Sequence, residues 1–232
     1  MTWRPRDASL ILPDVEEASF FLAPLRTKPQ VRAGFVERVP GIETSTDKEA
    51  TLALLRPAHR EAAQELGFQS IYLAGQIHGE QLSVIDVNSP RISLESDGLL
   101  TNQAGILLGI HVADCGAVYL LDQKAEALAL LHSGKKGTEL NITGKAISLM
   151  SRQFGTDPRD LTVVLGPCIR PPHYEIDFAA QIGEQARAAG VPETQYFDSG
   201  LCTASDLSRF YSYRIEKGNT GRHLALLGRL PR

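Results

Sequence analysis

The sequence predicts a mixed fold of α+β character, and three observations predict it. Strand-like apolar runs follow one another at 70–78, 81–87, 105–114 and 117–132 with no helix between them, which a plain strand–helix alternation would not produce. Helical composition is confined to a few segments set before and after those runs. The chain of 232 residues is 43% hydrophobic and 22% charged, ordinary globular values that exclude wholesale disorder, collagen-like sequence and a long coiled coil. About 70% of the surface of such a chain can be buried on folding, enough for a core without staples. No repeat, low-complexity linker or composition break marks a second unit, so residues 1–232 read as one domain.

Taken in order, residues 1–30 are irregular or short elements around Pro5, Pro13, Pro24 and Pro29. VRAGFVER (31–38) is a strand ending in a turn-prone Val-Pro-Gly. The Ala, Leu and Glu of 47–66 favour helix, stopped by Gly67, with Pro57 expected to kink it or to open a second helix. SIYLAGQIH and QLSVIDV carry apolar residues at every second position, as strands do. GILLGIHVAD is apolar nearly throughout, as a strand covered on both faces would be. AVYLLD and AEALALLH form a hairpin about Gln123-Lys124. Residues 137–154 read as one helix with Leu140, Ile147 and Met150 on its apolar stripe. LTVVLG (161–166) is a buried strand, 178–189 a helix and HLALLGRL (223–230) a last strand.

The formal net charge of −3 supplies no global attraction for nucleic acid or an acidic membrane. Residues 203–232 nevertheless hold six Lys/Arg against two Asp/Glu, positive charge that could serve an anionic ligand if the tail returns to the core. Three cysteines cannot all pair within one chain, and Cys115, Cys168 and Cys202 read as reduced thiols. Acidic residues 7, 14, 16 and 17 break up the start of the chain, and no window approaches 18 apolar residues. The expectation is a cytoplasmic protein with neither signal peptide nor membrane span.

Candidate chemistry gathers at strand ends. His78 in GQIHGE, Cys115 in VADCG and His132 in LLHSGKKG each end a predicted strand. One thiolate and two imidazoles are the donor set zinc prefers, and three protein ligands leave a fourth position open, as in catalytic sites. Their spacings of 37 and 17 residues match no zinc-finger signature. The same residues allow a second reading, Cys115 as nucleophile with His132 as base. His111 shares a strand face with Cys115, Asp114 is placed to orient a ligand histidine or cap a turn, and His59 is expected to be partly exposed. Lys135 and Lys136 between Gly134 and Gly137 suit a phosphate, though the spacing is not that of a Walker loop. In LGPCIRPPHYE, Arg170 is a candidate for an anion and Tyr174 for stacking, and Arg214 in the tail adds a cation.

The blocks GQIHG, SDGLLTNQAGILLGIHVADC, HSGKKG, LGPCIRPPHYEID and CT…RFYSYRIEKGNTGR resemble, in that order, the YfiH family, once called multicopper polyphenol oxidoreductase (laccase) domain proteins. The resemblance implies a layered α/β (α+β) sandwich of the CNF1/YfiH type, with helices packed outside the β-sheets, in a monomeric cytoplasmic protein. It implies a metal and catalytic site at His78, Cys115 and His132 with zinc as the ion; copper fits less well, since a multicopper oxidase needs many more histidines than the six present. It also implies purine nucleoside chemistry with inorganic phosphate as co-substrate, either phosphorolysis of adenosine, inosine, guanosine and methylthioadenosine or deamination of adenosine. Lys136, Arg170, Tyr174 and Arg214 are then the substrate- and phosphate-binding candidates. The alternatives are a Cys115–His132 amide hydrolase, which the related toxin fold implies, and a non-catalytic descendant binding a nucleotide or a protein. The chain departs from the family where His-Ala-Gly-Trp-Arg-Gly is usual: residues 132–137 read His-Ser-Gly-Lys-Lys-Gly, losing an aromatic face and a bidentate guanidinium.

Overall fold

A computed structural model describes residues 19–124 and 126–231. The expectations for residues 1–18 lie outside the described residues.

Two sheets form the centre. The first runs in the order β1 (Val31–Val36), β11 (His223–Arg229), β6 (Leu107–Val112), β2 (Tyr72–Ala74), β4 (Ile92–Ser93). The second runs β10 (Tyr196–Asp198), β9 (Leu161–Leu165), β7 (Gly116–Asp122), β8 (Leu128–Ser133), β5 (Gly98–Thr101), β3 (Leu82–Val84). Their facing surfaces share one core, in which Phe35, Ile110, Ala225 and Leu227 of the first sheet meet Tyr119, Leu121, Leu130 and Val164 of the second. Strand side chains alternate between faces. The residues between those therefore point outward: Val118, Leu120, Leu131 and Val163 lie beneath α3 (Ile142–Phe154) and α4 (Phe178–Ala188). Leu107, Leu224 and Leu226 lie beneath α1 (Lys48–Glu65). Both sheets are thus covered on both sides, which is why their central strands read as continuous apolar runs. The layers are helix, sheet, sheet, helix, with the helices outside as expected.

Several elements differ from the sequence reading. Helix α1 passes through Pro57 without a break. Proline removes one hydrogen bond to the carbonyl four residues back, and here Pro57 and Ala53 are both exposed, so water can serve that carbonyl. The helix expected over 137–154 is two: α2 (Lys135–Glu139) and α3, separated by Asn141 in the left-handed region (φ 60°). The Asn141 side chain accepts from the Gly144 N–H and so caps α3, which turns Leu140 to solvent rather than onto the stripe, while Ile147 and Met150 are buried as expected. His59 is not partly exposed but buried, its ring 5.3 Å from that of His111. Three short strands, β4, β5 and β10, had no expectation.

The basic tail does return to the core. Strand β11 lies between β1 and β6, and the segment before it is tied back by Arg38, which bonds the Phe210 carbonyl and the Glu216 carboxylate (2.7 Å). Cys115, Cys168 and Cys202 are all free thiols, as expected. Among the described residues no helix is long and apolar enough to cross a membrane.

Candidate functional site

The register of β7 and β8 begins the site. Ala117 pairs with His132 and Gly116 with Ser133, so the residue preceding β7, Cys115, lies level with Gly134. Glycine is required there by close approach: a Cβ on Gly134 would stand 2.4 Å from the Cys115 sulfur. The third member, His78, comes from the loop after β2, and its ring meets that of His132 edge-on at 4.9 Å. The donor atoms of His78, Cys115 and His132 all lie within 4.8 Å of one another.

Asp97, just ahead of β5, binds these parts together. Its carboxylate accepts from the backbone N–H of His78 (2.9 Å) and of Gly79 (2.7 Å) and from Nδ1 of His132 (2.9 Å), and its carbonyl accepts from the His132 N–H. Asp97 is 0% exposed. Burial opposes its charge, yet the bonds from His132 and the two N–H groups outweigh burial and hold the carboxyl below its ordinary value. Burial likewise opposes a charge on His132, but the Cys115 sulfur and the Asp97 carboxylate raise it to about 9. With Nδ1 held by Asp97, Nε2 of His132 is the ring nitrogen left for a metal, the carboxylate–histidine arrangement that orients metal ligands. The residues therefore fit a borderline-soft divalent ion such as zinc.

A cavity of about 840 Å³ opens above this group. Tyr174, Phe178, Tyr213 and Ile169 supply apolar and aromatic wall, and Lys48, Lys135, Arg214, Lys217 and Arg222 supply cations. Four of its lining residues, Gln76, His78, Asp114 and Lys217, have positive φ, out of six such non-glycine residues among those described. That concentration of costly backbone is typical of functional sites. Gln76 holds its place by bonding both the N–H and the carbonyl of His111.

Of the residues singled out from sequence, His78, Cys115, His132, Tyr174 and Arg214 converge on this cavity, and Lys136 lines a smaller pocket that shares the three ligand residues. Arg214 lies over the Tyr174 ring and pairs with Glu175 (3.0 Å). Arg170 does not join them. Its guanidinium is taken by the Asp198 carboxylate and the Leu201 carbonyl, so it braces the loop instead of facing the cavity. Asp114 does not orient a histidine either: its oxygens accept from Thr203 Oγ1 and from the Arg214 N–H, both at 2.7 Å, which pins the tail against the site. The orienting role falls to Asp97, which sequence reasoning missed along with Gln76, Lys48 and Lys217. Cys202 stands apart, 3.6 Å from His173 Nδ1.

The comparisons with known proteins agree with this architecture. A crystal structure of YlmD from Geobacillus stearothermophilus superposes with a TM-score of 0.76 at 24% identity, covering 90% of this chain and 94% of that one. Bacillus licheniformis YfiH gives 0.72 at 22%, covering 87% and 93%. Among curated proteins, a purine nucleoside phosphorylase of Deinococcus radiodurans is 32% identical over 198 residues, 73% of this chain and 75% of the relative. Purine nucleoside phosphorylase YlmD of Geobacillus stearothermophilus is also 32% identical, over 57% of this chain; the match spans 60% of that relative's length. The model of the family described as multi-copper polyphenol oxidoreductase laccase matches residues 41–181 and 175–229. The chain belongs to that laccase-domain family.

Proposed function

We propose that this protein is a zinc-dependent enzyme that cleaves purine nucleosides by phosphorolysis. The observation that carries the reading is the His78–Cys115–His132 group at the floor of an aromatic and cationic cavity, in a chain whose relatives are named purine nucleoside phosphorylases. In the reaction a phosphate oxygen bonds to C1′ of the ribose as the C1′–N9 bond breaks, and its electron pair leaves with the purine, which takes up a proton. Zinc held by His78, Cys115 and His132 would supply Lewis-acid stabilisation of developing negative charge. The chain's own groups do the rest. Asp97 fixes the tautomer and direction of the His132 ring, Tyr174 and Tyr213 offer faces to the base, and Lys135 is placed to hold phosphate beside the three ligands.

The test is direct. Purified protein is incubated with adenosine with and without phosphate, and products are identified by liquid chromatography–mass spectrometry. Adenine and ribose 1-phosphate, formed only with phosphate and lost in His132→Ala, are expected. Inosine in either tube would replace phosphorolysis by deamination. No product from folded, zinc-loaded protein would sink the adenosine reading.

One observation favours a second reading, amide hydrolysis. Cys115, His132 and Asp97 stand in the order of a nucleophile, a base and the carboxylate that orients the base. Zinc on the same thiolate competes with that role. Rapid alkylation of Cys115 in zinc-free protein, with amidase activity lost in Cys115→Ala, would favour hydrolysis.

A further inference from the structure

Five cations line the cavity, and one of them differs from the rest. Lys48, Lys135, Arg214 and Lys217 are exposed and stay hydrated, and Arg214 already pairs with Glu175. Arg222 is half-buried and forms no ion pair among the described residues. Burial works against its charge and holds its pKa below the ordinary value, although Tyr213, Cys115 and Asp114 act the other way.

The sheet sets its position. Strand β11 pairs with β6 so that His223 faces Val112. Arg222, the residue before β11, therefore stands level with Ala113, two residues short of Cys115 in the chain. Its charge is within electrostatic reach of both His78 and Cys115. The guanidinium is held as firmly as the backbone. Nη1 donates to the carbonyls of Thr220 (3.3 Å) and Gly221 (2.8 Å), and the group stacks on Tyr213, 5.6 Å from the ring centre.

Those contacts use one of its three nitrogens. Nε and Nη2 donate to nothing among the described residues. They are the two parallel donors with which an arginine grips two oxygens of one oxyanion. No side chain is at hand to take them. Asp114, the one carboxylate lining the cavity, has its oxygens on Thr203 and the Arg214 N–H. Glu216 is engaged by Arg38, the Ser212 N–H and Thr220. A half-buried, immobilised cation with an unused pair of donors is unfavourable unless an anion is received there.

We infer that Arg222 binds the phosphate co-substrate, gripping two of its oxygens through Nε and Nη2. A tetrahedral phosphate held in this way keeps two oxygens free, one of which attacks C1′ beside His78, Cys115 and His132. The exposed lysines play a lesser part, since a hydrated surface charge is screened. This inference rests on the phosphorolysis reading and deepens it, because the residue that selects phosphate as the nucleophile is this arginine rather than Lys135.

Titration calorimetry on the full, zinc-loaded chain with inorganic phosphate and, separately, with adenosine tests it. Arg222→Gln is expected to weaken phosphate by at least about tenfold, the size of a lost charged hydrogen bond, and to leave adenosine affinity unchanged. Arg222→Lys should recover little, since an ammonium cannot supply the parallel pair. Lys135→Ala should weaken phosphate by less than about fivefold. Circular dichroism checks folding, and if Arg222→Gln does not fold, Arg222→Lys carries the same comparison. Phosphate bound as in the wild type, or phosphate and adenosine weakened alike, overturns the inference and leaves the phosphorolysis reading standing where the wild type forms ribose 1-phosphate. A wild type that forms none overturns both.

Discussion

Two buried histidines on either side of the cavity, His132 beside His78 and Cys115 and His59 behind the Lys48, Gln76 and His111 side that borders a second cavity of about 600 Å³, are shifted in opposite directions. At the ligand end the buried His132 is raised to about 9, whereas behind the Lys48 end the buried His59 is lowered to about 4. Both imidazoles pay for burial, and the difference is the sulfur and the carboxylate that only one of them has beside it. His132 has the Cys115 sulfur and Asp97 against it; His59 has the His111 ring beside it and only a backbone hydrogen bond to Arg222 to favour its charge. The ligand end is thus a fixed, charge-compensated floor, and the Lys48 end a wall of neutral imidazoles with unpaired cations in front. The first has the donor set that would hold a cation.

Removing the carboxylate is the most severe way to break that contrast. Asp97→Ala leaves two backbone N–H groups and the His132 ring without their acceptor in a fully buried place. Loss of one partner from such a group costs about 3–5 kcal/mol, or a fall in Tm of roughly 10 °C for a chain of this size. Zinc affinity should fall by about 10–100-fold as the His132 ring loses its orientation. Calorimetric melts with and without zinc measure both; a variant that melts like the wild type would show that Asp97 does not organise the floor.

Acid should act on the opposite end. An unfolded histidine titrates near 6.5. His59, lowered to about 4 in the fold by burial, stays neutral there while its unfolded counterpart takes up a proton. Stability from this group is therefore full above pH 6.5 and declines as pH falls toward 4, by about 3 kcal/mol. Lys48 and Arg222, which also face the neighbouring His111, add to the penalty for a charge in this region. Urea unfolding at a series of pH values should show a wild-type slope steeper, by one proton, than that of His59→Leu. Parallel slopes would mean that His59 accepts its proton without cost.

The ligand end was legible in the sequence and much of the other end was not, for a physical reason. A long apolar run marks a doubly covered strand and hence marks where the strand stops, so Cys115 and His132 could be placed at strand ends before any coordinates. Their donor chemistry then suggested a metal. Asp97 escaped notice because Ser96-Asp97-Gly98 reads as an ordinary turn; its role depends on β5 pairing with β8 and on a loop 19 residues away in sequence. His59 did leave a signal, since Leu55, Ala58, His59 and Ala62 repeat at helical spacing and are all buried. Lys48 and Lys217 carry no local mark, because a lysine's surroundings are set by elements remote in the chain. Arg170 misled for the same reason, its partner Asp198 lying 28 residues on.

A smaller perturbation probes the floor without touching its charges. Gly134→Ala introduces a methyl 2.4 Å from the Cys115 sulfur, which must move. Overpacking of this kind costs about 1–3 kcal/mol. Zinc binding should weaken while the neutral His59 wall is undisturbed, so the pH slope of unfolding is expected to match that of the wild type. A changed slope would mean that the two ends are mechanically joined.

The mildest change is Lys217→Gly, and it isolates the cationic end. Lysine at positive φ is strained by about 1 kcal/mol, and glycine removes that strain. Glycine also loosens the unfolded chain by about 0.4–1 kcal/mol, so the two effects nearly cancel and stability should change by less than about 0.5 kcal/mol. Inorganic phosphate, by contrast, should bind roughly twofold to fivefold more weakly, the size expected for one exposed charge, and the loss should shrink as salt is added. If the cavity's two ends are independent, the stability effects of Lys217→Gly and Gly134→Ala add to within about 0.5 kcal/mol in the double variant. A larger coupling would require the turn before β11 and the loop after β8 to move as one body, and the separation of a fixed metal floor from a cationic wall would then be wrong.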